Sequence, residues 1–176
     1  WVSPMLNQAN CGSCVAFAAI GVMESQINIA TGHPDLNLRL SPQNLFSCGG
    51  GYCDYGWQPA TAAQQLMNEG VPDETCMPYI SGATGQDVAC NLSCKDTAQR
   101  SRKIRNYSLP TRTLMSVDSV KQALQKGPVM TTLSVYAEFL TYASGVYKHT
   151  SGEMLGGHAI SIIGYDDSLQ AYIIRN

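Results

Sequence analysis

Two cysteines, Cys11 and Cys14, stand three residues apart in the stretch NQANCGSCVAF, immediately before a run of apolar residues. Such a pair is typical of half a zinc site, of a disulfide or redox pair, or of a reactive thiol beside a structural one. A nucleophilic cysteine must react as the thiolate, and Cys14 begins a predicted helix, where the positive end of the macrodipole favours the anion. The pattern makes Cys14 a candidate nucleophile and leaves the role of Cys11 open.

A thiolate nucleophile needs a histidine as ion-pair partner and later as general acid. Of the three histidines, His33 follows a glycine that ends a predicted helix, and His149 lies in a polar, turn-like segment. His158 instead opens the apolar run at 159–163 and so stands at the end of a predicted buried strand. His158 is therefore the candidate acid and base, although a lone histidine in such a place is more often structural.

The segment after His158 predicts a hairpin that brings Asn176 towards it. Two strand-like runs, at 160–165 and 171–175, flank a turn-like sequence centred on Asp167. This hairpin sets Asn176 directly opposite His158, and opposed residues have Cβ atoms about 5 Å apart. The amide of Asn176 can then orient the imidazole, provided that the hairpin contains no bulge.

Acyl transfer also needs hydrogen-bond donors for the oxyanion of the tetrahedral intermediate. The backbone N–H of Cys14 is one candidate, and the side-chain amide of Gln8, on the incoming loop, is the other. A zinc site is disfavoured because no second C-x-x-C or H-x-x-x-H pattern is present. A thioredoxin-like redox pair is a minor alternative, since the strand that normally precedes it is not predicted. We expect no metal and no cofactor.

The composition is that of a chain that can bury a core and carries little net charge. Its 176 residues are 44% apolar, with a net charge of −2 and a pI of about 5.9. These values disfavour nucleic acid and anionic membranes as partners, and the basic cluster at 100–105 is interpreted as a solvated strand edge. No apolar run approaches the roughly 20 residues that span a bilayer. Peptide-sized or neutral substrates are more natural partners.

Seven cysteines are many for this length, and the number is odd. Three disulfides and one free thiol, in an oxidising compartment, is the simplest arrangement. Two N-glycosylation sequons, at Asn91 and Asn106, are compatible with a secretory route. The chain starts at Trp1 without a signal peptide, so we expect any targeting segment or pro-segment to lie outside it.

Helical patterns in the first half and strand patterns in the second predict an α+β protein of two lobes, with the site in a cleft between them. We expect the lobes to span residues 1–106 and 107–176. Helices are predicted at 14–31, from Ser41-Pro42 onwards, at 59–69 and at 116–126, and strands at 129–135, 159–165 and 172–174. For the first helix, Ser13 is the expected side-chain cap and Gly32 the expected end. A disulfide-held surface loop is expected at 76–96.

With these motifs in place, the chain resembles the papain family of cysteine peptidases, and within it the cathepsin B-like members. The motifs that carry the resemblance follow one another along nearly the whole chain: Asn7-Gln8, Cys11–Cys14, Leu40–Gln43, Cys76–Tyr79, Gly127–Val129, Ser134–Tyr136, Tyr142–Tyr147 and Gly152–Ile160. The last block is especially characteristic of cathepsin B-like members.

The resemblance implies a papain-like fold with a helical lobe, an antiparallel barrel-like lobe and the active-site cleft between them. It implies that Cys14 is the nucleophile, His158 the acid and base, Asn176 the residue that orients the imidazole and Gln8 the oxyanion donor. Gly56, Trp57 and Gly157 would contact substrate. The implied disulfides are Cys11–Cys53, Cys48–Cys90 and Cys76–Cys94, which leave Cys14 free. A pro-segment, protein inhibitors, and a lysosome-like or secretory destination are further implications.

Four departures from the family pattern qualify these expectations. Only residues 77–89 separate Cys76 from Cys90, where cathepsin B carries a longer occluding loop with two adjacent histidines. We therefore expect an endopeptidase with little carboxydipeptidase activity. Val15 stands where the family usually has an aromatic residue, and the segment 53–57 lacks one of two substrate-binding glycines.

The fourth departure is the ending, because family members continue past Asn176 with a tryptophan-containing segment. The ending at Asn176 predicts that the chain is a fragment. One alternative to an active endopeptidase is therefore an inactive fragment. A non-catalytic cathepsin B-like binding or matrix protein is another, although such proteins usually lack the nucleophile or the histidine.

Overall fold

The computed structural model describes residues 1–108 and 116–176. Its elements follow in the order α1 (Cys14–Thr31), α2 (Pro42–Gly49), α3 (Pro59–Asn68), α4 (Ser81–Thr84), α5 (Thr97–Arg100), α6 (Val117–Leu124), β1 (Val129–Tyr136), β2 (Met154–Asp166) and β3 (Ala171–Arg175). Short 3-10 helices occupy Cys90–Leu92 and Ala137–Thr141. Helices precede the strands, and the α+β prediction is confirmed. The lobe boundary at 106/107 and the barrel-like closure stay predictions.

The central element is α1, and its bounds are those that the sequence predicts. It ends at Gly32, whose φ of 69° is the left-handed conformation that glycine adopts readily. The expected side-chain cap at Ser13 is wrong. The Ser13 hydroxyl lies 2.6 Å from the hydroxyl of Tyr79, and this contact turns it away from the N–H groups of the first turn.

By length and composition, α1 is the one helix in the described part of the chain that would also suit a membrane span. Within the fold, however, 56% of it is buried. A long apolar helix enclosed by other elements is typical of a core helix, since its side chains are already removed from water.

Serine side chains start two of the other helices, as the sequence predicts for Ser41. Ser41 Oγ accepts the N–H of Asn44 at 2.9 Å, and Pro42 occupies the first helical position. Ser116 Oγ accepts the N–H of Ser119 at 3.1 Å. The predicted bounds of α3 and α6 extend one or two residues too far at their C-terminal ends.

Apolar contacts join α1 to elements on both of its sides. The largest cluster packs buried residues of α1, including Ile20 and Met23, against Leu45 and Phe46 of α2. A second cluster, formed by Val15, Ala18, Ala62 and Ala159, links α1 to α3 and to β2. Because removing apolar area from water stabilises packed elements, these clusters fix the helical half against the sheet.

Three disulfides brace the helical half, namely Cys11–Cys53, Cys48–Cys90 and Cys76–Cys94, with Cα atoms 4.4, 4.8 and 4.9 Å apart. These are the pairs that the family resemblance implies. The disulfide of Cys11 excludes it as a zinc ligand in this structure and as a redox partner of Cys14. The question left open by the C-x-x-C spacing is thus answered by structure.

The strands form a three-stranded antiparallel sheet in the order β1-β2-β3. β1 pairs with β2 in a register that sets Leu133 opposite His158. Along β2, Ala159 packs in the cluster that contains α1 residues, and the Ser161 hydroxyl donates to the carbonyl of Ala18 at 3.2 Å. The long strand β2 therefore runs against α1 and carries His158 near one end.

The β2–β3 hairpin differs from the predicted one in both turn and register. Asp166 pairs with Ala171, so residues 167–170 form the connection and Asp167 is not its centre. An irregularity between Ile162 and Gly164 then shifts the pairing by one residue. Direct opposition of Asn176 and His158 is therefore wrong.

The irregularity nevertheless brings Asn176 to the correct face. Beyond it, Ser161 pairs with Arg175, so the same register would set Asn176 opposite Ile160. Ile160 and His158 are two residues apart on β2 and share a face. Without the extra residue in β2, Asn176 would be displaced by one position along β2 and would lie on the opposite face of the sheet. A bulge that we expected to prevent the contact is what permits it.

Candidate active site

Cys14 is the first residue of α1 and is half-buried, and it is the one cysteine without a disulfide. Its Sγ accepts a hydrogen bond from the backbone N–H of Ala159 at 3.4 Å. The thiol thus lies where the N-terminus of α1 meets β2. Both the helix terminus and the Ala159 N–H favour a negative charge on the sulfur.

His158 lies next to Cys14, and Asn176 holds its far side. The Nε2 of His158 lies 2.5 Å from Oδ1 of Asn176, and the imidazole lies close enough to the Cys14 side chain for the two groups to shift each other's pKa. Because Nε2 donates to the amide oxygen, Nδ1 is the ring atom left for the sulfur. The sequence-predicted trio of Cys14, His158 and Asn176 is thus brought together.

The two titrating groups shift each other's pKa in opposite directions. Burial raises the pKa of the Cys14 thiol, but hydrogen bonds with His158 and Ala159 and the imidazolium charge outweigh it, so that the net pKa lies below its ordinary value. The hydrogen bond to Cys14 raises the pKa of His158, against the effect of burial and with support from Asn176. This arrangement favours thiolate and imidazolium together.

Gln8 lies at the same site, and its half-buried amide donates from Nε2 to the carbonyl of Cys11 at 3.0 Å. Its backbone carbonyl accepts the hydroxyl of Tyr79 at 2.7 Å, and that hydroxyl also meets Ser13. Tyr79 therefore ties the loop that carries Gln8 to the residue before the nucleophile. Sequence reasoning missed this link, since only its place in the Cys76–Tyr79 motif could have pointed to it.

Val15, the departure beside the nucleophile, is buried against small side chains and the indole of Trp57. Trp57 also packs edge-on to Phe46, with ring centroids 6.3 Å apart. The indole of Trp57, just before α3, thus packs against the same cluster as Val15, and a larger side chain at position 15 would crowd that cluster.

The three predicted substrate-contacting residues lie in different environments. Gly56 has a φ of 73° and closes a tight turn, in which its N–H donates to Tyr52 O at 2.7 Å and its carbonyl accepts the Tyr52 N–H at 3.3 Å. Trp57 is partly buried in the core clusters described above. Gly157 is exposed on β2, where an added Cβ would meet no atom within 4 Å. Their contacts with substrate stay a prediction.

A cavity of about 140 Å³ lies beside the site, between α1 and the β2–β3 hairpin. Cys14, Gln8 and Asn176 line it, together with two charged residues, Glu24 and Arg175. Sequence patterns do not single out this charged pair, because its members are distant in the chain.

The fold and this thiol–imidazole pair define a class, the cysteine proteases of the papain type. The family model described as "Papain family cysteine protease" matches residues 1–176, and the chain belongs to that family. This confirms the resemblance inferred from the motifs.

Within the family, the chain is similar to proteins named as cathepsin B-like. It is 34% identical to "Cathepsin B-like CP3" of Giardia intestinalis over 99% of this chain and 60% of that protein. It is also 34% identical to "Gut-specific cysteine proteinase" of Caenorhabditis elegans, over 90% of this chain and 54% of that protein. The chain thus spans little more than half the length of these relatives.

Solved structures show the same fold. "proCathepsin B S9 from Trypanosoma congolense" superposes with a TM-score of 0.79 at 26% identity, over 98% of this chain and 60% of that one. The bromelain protease from Ananas comosus, in complex with the E64 inhibitor, gives a TM-score of 0.77 at 28% identity, over 99% of this chain and 77% of that one. The papain-like fold prediction is confirmed.

Proposed function

We propose that the chain is the catalytic part of a cysteine endopeptidase that hydrolyses peptide bonds through a thiolate–imidazolium pair of Cys14 and His158. The observation that carries this proposal is the meeting of Cys14, His158 and Asn176 at the start of a buried helix, where the imidazole is hydrogen-bonded to Asn176 and the Ala159 N–H donates to the Cys14 sulfur. The lowered pKa of the thiol and the raised pKa of the imidazole support it.

In the acylation step, the thiolate of Cys14 attacks the substrate carbonyl carbon, and the carbonyl electrons move onto oxygen. The Cys14 N–H and the Gln8 amide stabilise this oxyanion. An amide NH₂ group has two donors, so Gln8 can keep one on the Cys11 carbonyl and direct the other to the oxyanion. His158 then gives its proton to the leaving amine as the C–N bond breaks, which leaves a thioester on Cys14.

In the deacylation step, a water molecule attacks the thioester. His158 accepts a proton from the water, the C–S bond breaks, and the carboxylic product leaves. The sulfur leaves as the thiolate and His158 keeps the proton taken from the water, so this step itself restores the ion pair. Asn176 holds the imidazole through Nε2 in both steps, so that Nδ1 faces the reacting atoms.

Endopeptidase specificity is supported by the short segment at 77–89. It packs against the loop that carries Gln8, because the N–H of Asn10 donates to the carbonyl of Gly82 at 3.2 Å. Residues 81–84 form the short helix α4 on this side of the molecule. A segment tied down in this way leaves the cleft open to substrates that extend past the scissile bond. Gly56, Trp57 and Gly157 are the proposed substrate contacts.

An acidic vesicle or a secretory route is the destination that this chemistry suits. A thiol with a lowered pKa and an imidazole with a raised pKa keep the ion pair over a pH range that extends below neutrality. Three disulfides suit an oxidising route. Peptide and protein substrates, a pro-segment and protein inhibitors are the corresponding partners.

Alkylation tests the ion pair independently of any substrate. Cys14 in the full chain should react with iodoacetamide well below pH 7, where an ordinary thiol is slow. A Cys14→Ala variant is the control, since it removes the reactive sulfur. An ordinary thiol-like pH dependence would refute the mechanism and favour a non-catalytic binding protein.

Internally quenched peptides test the specificity. We expect similar cleavage of peptides with free and with amidated C-termini, because the short segment 77–89 contains no histidine that could capture the terminal carboxylate. A strong preference for the free carboxylate would contradict the endopeptidase proposal.

A further inference from the structure

Arg175 immediately precedes Asn176 and crosses from β3 to α1. It pairs with Ser161 in the sheet, and its side chain lies over Gly21 of α1. A Cβ on Gly21 would overlap the guanidinium, so this approach requires glycine. The helix therefore has a gap in its side-chain surface where the guanidinium rests.

The Arg175 guanidinium donates to one backbone carbonyl and lies in the same cavity as a buried carboxylate of α1. Its Nη2 donates to the carbonyl of Pro4 at 2.5 Å, while its Nε is buried without a partner among the described residues. Glu24, one turn of α1 beyond Gly21, is fully buried and lines the same cavity as Arg175. Its carboxylate accepts the N–H of Leu40 at 2.8 Å and the hydroxyl of Ser3.

Other charges around this pair modify its attraction without removing it. Arg39, whose Nη1 also reaches the carbonyl of Pro4, opposes Arg175 and attracts Glu24. Glu74 repels Glu24, and burial raises the pKa of both carboxyls. A buried carboxylate is costly unless positive groups compensate it, so Glu24 favours keeping Arg175 in place.

We propose that Arg175 is a positioning residue for the catalytic trio: held between Glu24, Gly21 and Pro4, it fixes the end of β3 against α1 and thereby sets Asn176 against His158. The inference rests on the proposed function. It follows from geometry, because Cys14 is the first residue of α1 and the guanidinium lies against Gly21 of the same helix. Asn176 is the residue that follows Arg175 in the chain. Fixing Arg175 on the helix thus fixes the distance between imidazole and thiol.

The test compares Arg175→Met, Asn176→Ala and the double variant in the full chain. Each single change should lower kcat/KM about 10- to 100-fold, since small misplacements of catalytic groups have effects of that size. The double variant should be no worse than the more impaired single variant, because both changes act through one contact. Arg105→Met, which removes the same charge from an exposed surface position, should retain wild-type kcat/KM.

The pH profile of iodoacetamide alkylation separates positioning from a merely structural role. In both Arg175→Met and Asn176→Ala, the pH at which alkylation of Cys14 reaches half its maximal rate should move towards the value for an ordinary thiol. Gly21→Ala supplies an independent variant that keeps every charge. Gly21→Ala should lower kcat/KM in the wild-type chain, because its methyl group displaces the guanidinium. In the Arg175→Met background, it should cause little further loss of kcat/KM.

The outcomes distinguish this inference from the proposed function. A wild-type chain with an ordinary thiol profile would refute both. A wild-type chain with an activated thiol, combined with an unchanged midpoint in folded Arg175→Met or with multiplying losses in the double variant, would overturn the positioning role alone. Coincident shifts in Arg175→Met, Gly21→Ala and Asn176→Ala would establish it.

Discussion

Tyr79→Phe removes one oxygen atom that joins the oxyanion loop to the helix start. The hydroxyl lies 2.7 Å from the carbonyl of Gln8 and 2.6 Å from the hydroxyl of Ser13. The aromatic ring keeps its edge-on contact with Phe17, at 4.8 Å between centroids, so packing is preserved. The change therefore isolates the two hydrogen bonds.

The magnitude follows from those two bonds. Each contributes about 1 kcal/mol net, so the free energy of unfolding should fall by about 2 kcal/mol. For a chain of this size, that corresponds to a decrease in Tm of about 4 to 8 °C. The Gln8 carbonyl also loses a donor, so the loop that places its amide should loosen and kcat should fall more than KM changes.

The assay is thermal unfolding followed by circular dichroism, together with kcat and KM on a quenched peptide. Tyr107→Phe is the matched control, because it deletes the same atom from an exposed tyrosine and should leave Tm and kcat unchanged. If Tyr79→Phe and Tyr107→Phe gave the same Tm and kcat, the loop would not depend on this hydroxyl and the reasoning would fail.

Two further changes test the β half and the nucleophile's packing. The N–H of Thr150 donates to Glu138 and, with further hydrogen bonds, lowers the pKa of that carboxyl to about 2. The contribution of the ionised carboxylate to folding stability is therefore full above the ordinary glutamate pKa and is lost as the pH falls through about 2. Glu138→Gln should therefore speed hydrogen exchange at Thr150 at neutral pH, and unchanged protection by mass spectrometry would contradict this. Val15→Trp should destabilise the fold by about 1 to 3 kcal/mol through overpacking. Adding Trp57→Ala should relieve part of that loss in urea unfolding, because both side chains pack in one cluster. Simple additivity of the two losses would show that the side chains do not compete for the same space.

Local patterns in the sequence predicted most of the elements because their causes are local. Ser41 and Pro42 begin α2 through a cap and a fixed φ, both of which involve neighbouring residues. The apolar run after Cys14 predicts the full extent of α1, and Gly32 ends it. Ser13 is the exception, because its hydroxyl is taken by Tyr79, which is distant in the chain.

The sequence by itself determined the chemistry that is available: a cysteine at a helix start, a histidine at a strand end, an asparagine beyond a hairpin and an odd number of cysteines. Tertiary structure decided which of these groups meet. The irregularity in β2 sets the face of Asn176, and the Cys11–Cys53 disulfide leaves Cys14 as the free thiol. The contact of Arg175 with Gly21 was equally beyond the sequence pattern, because it depends on how a strand and a helix pack and not on the residues next to either.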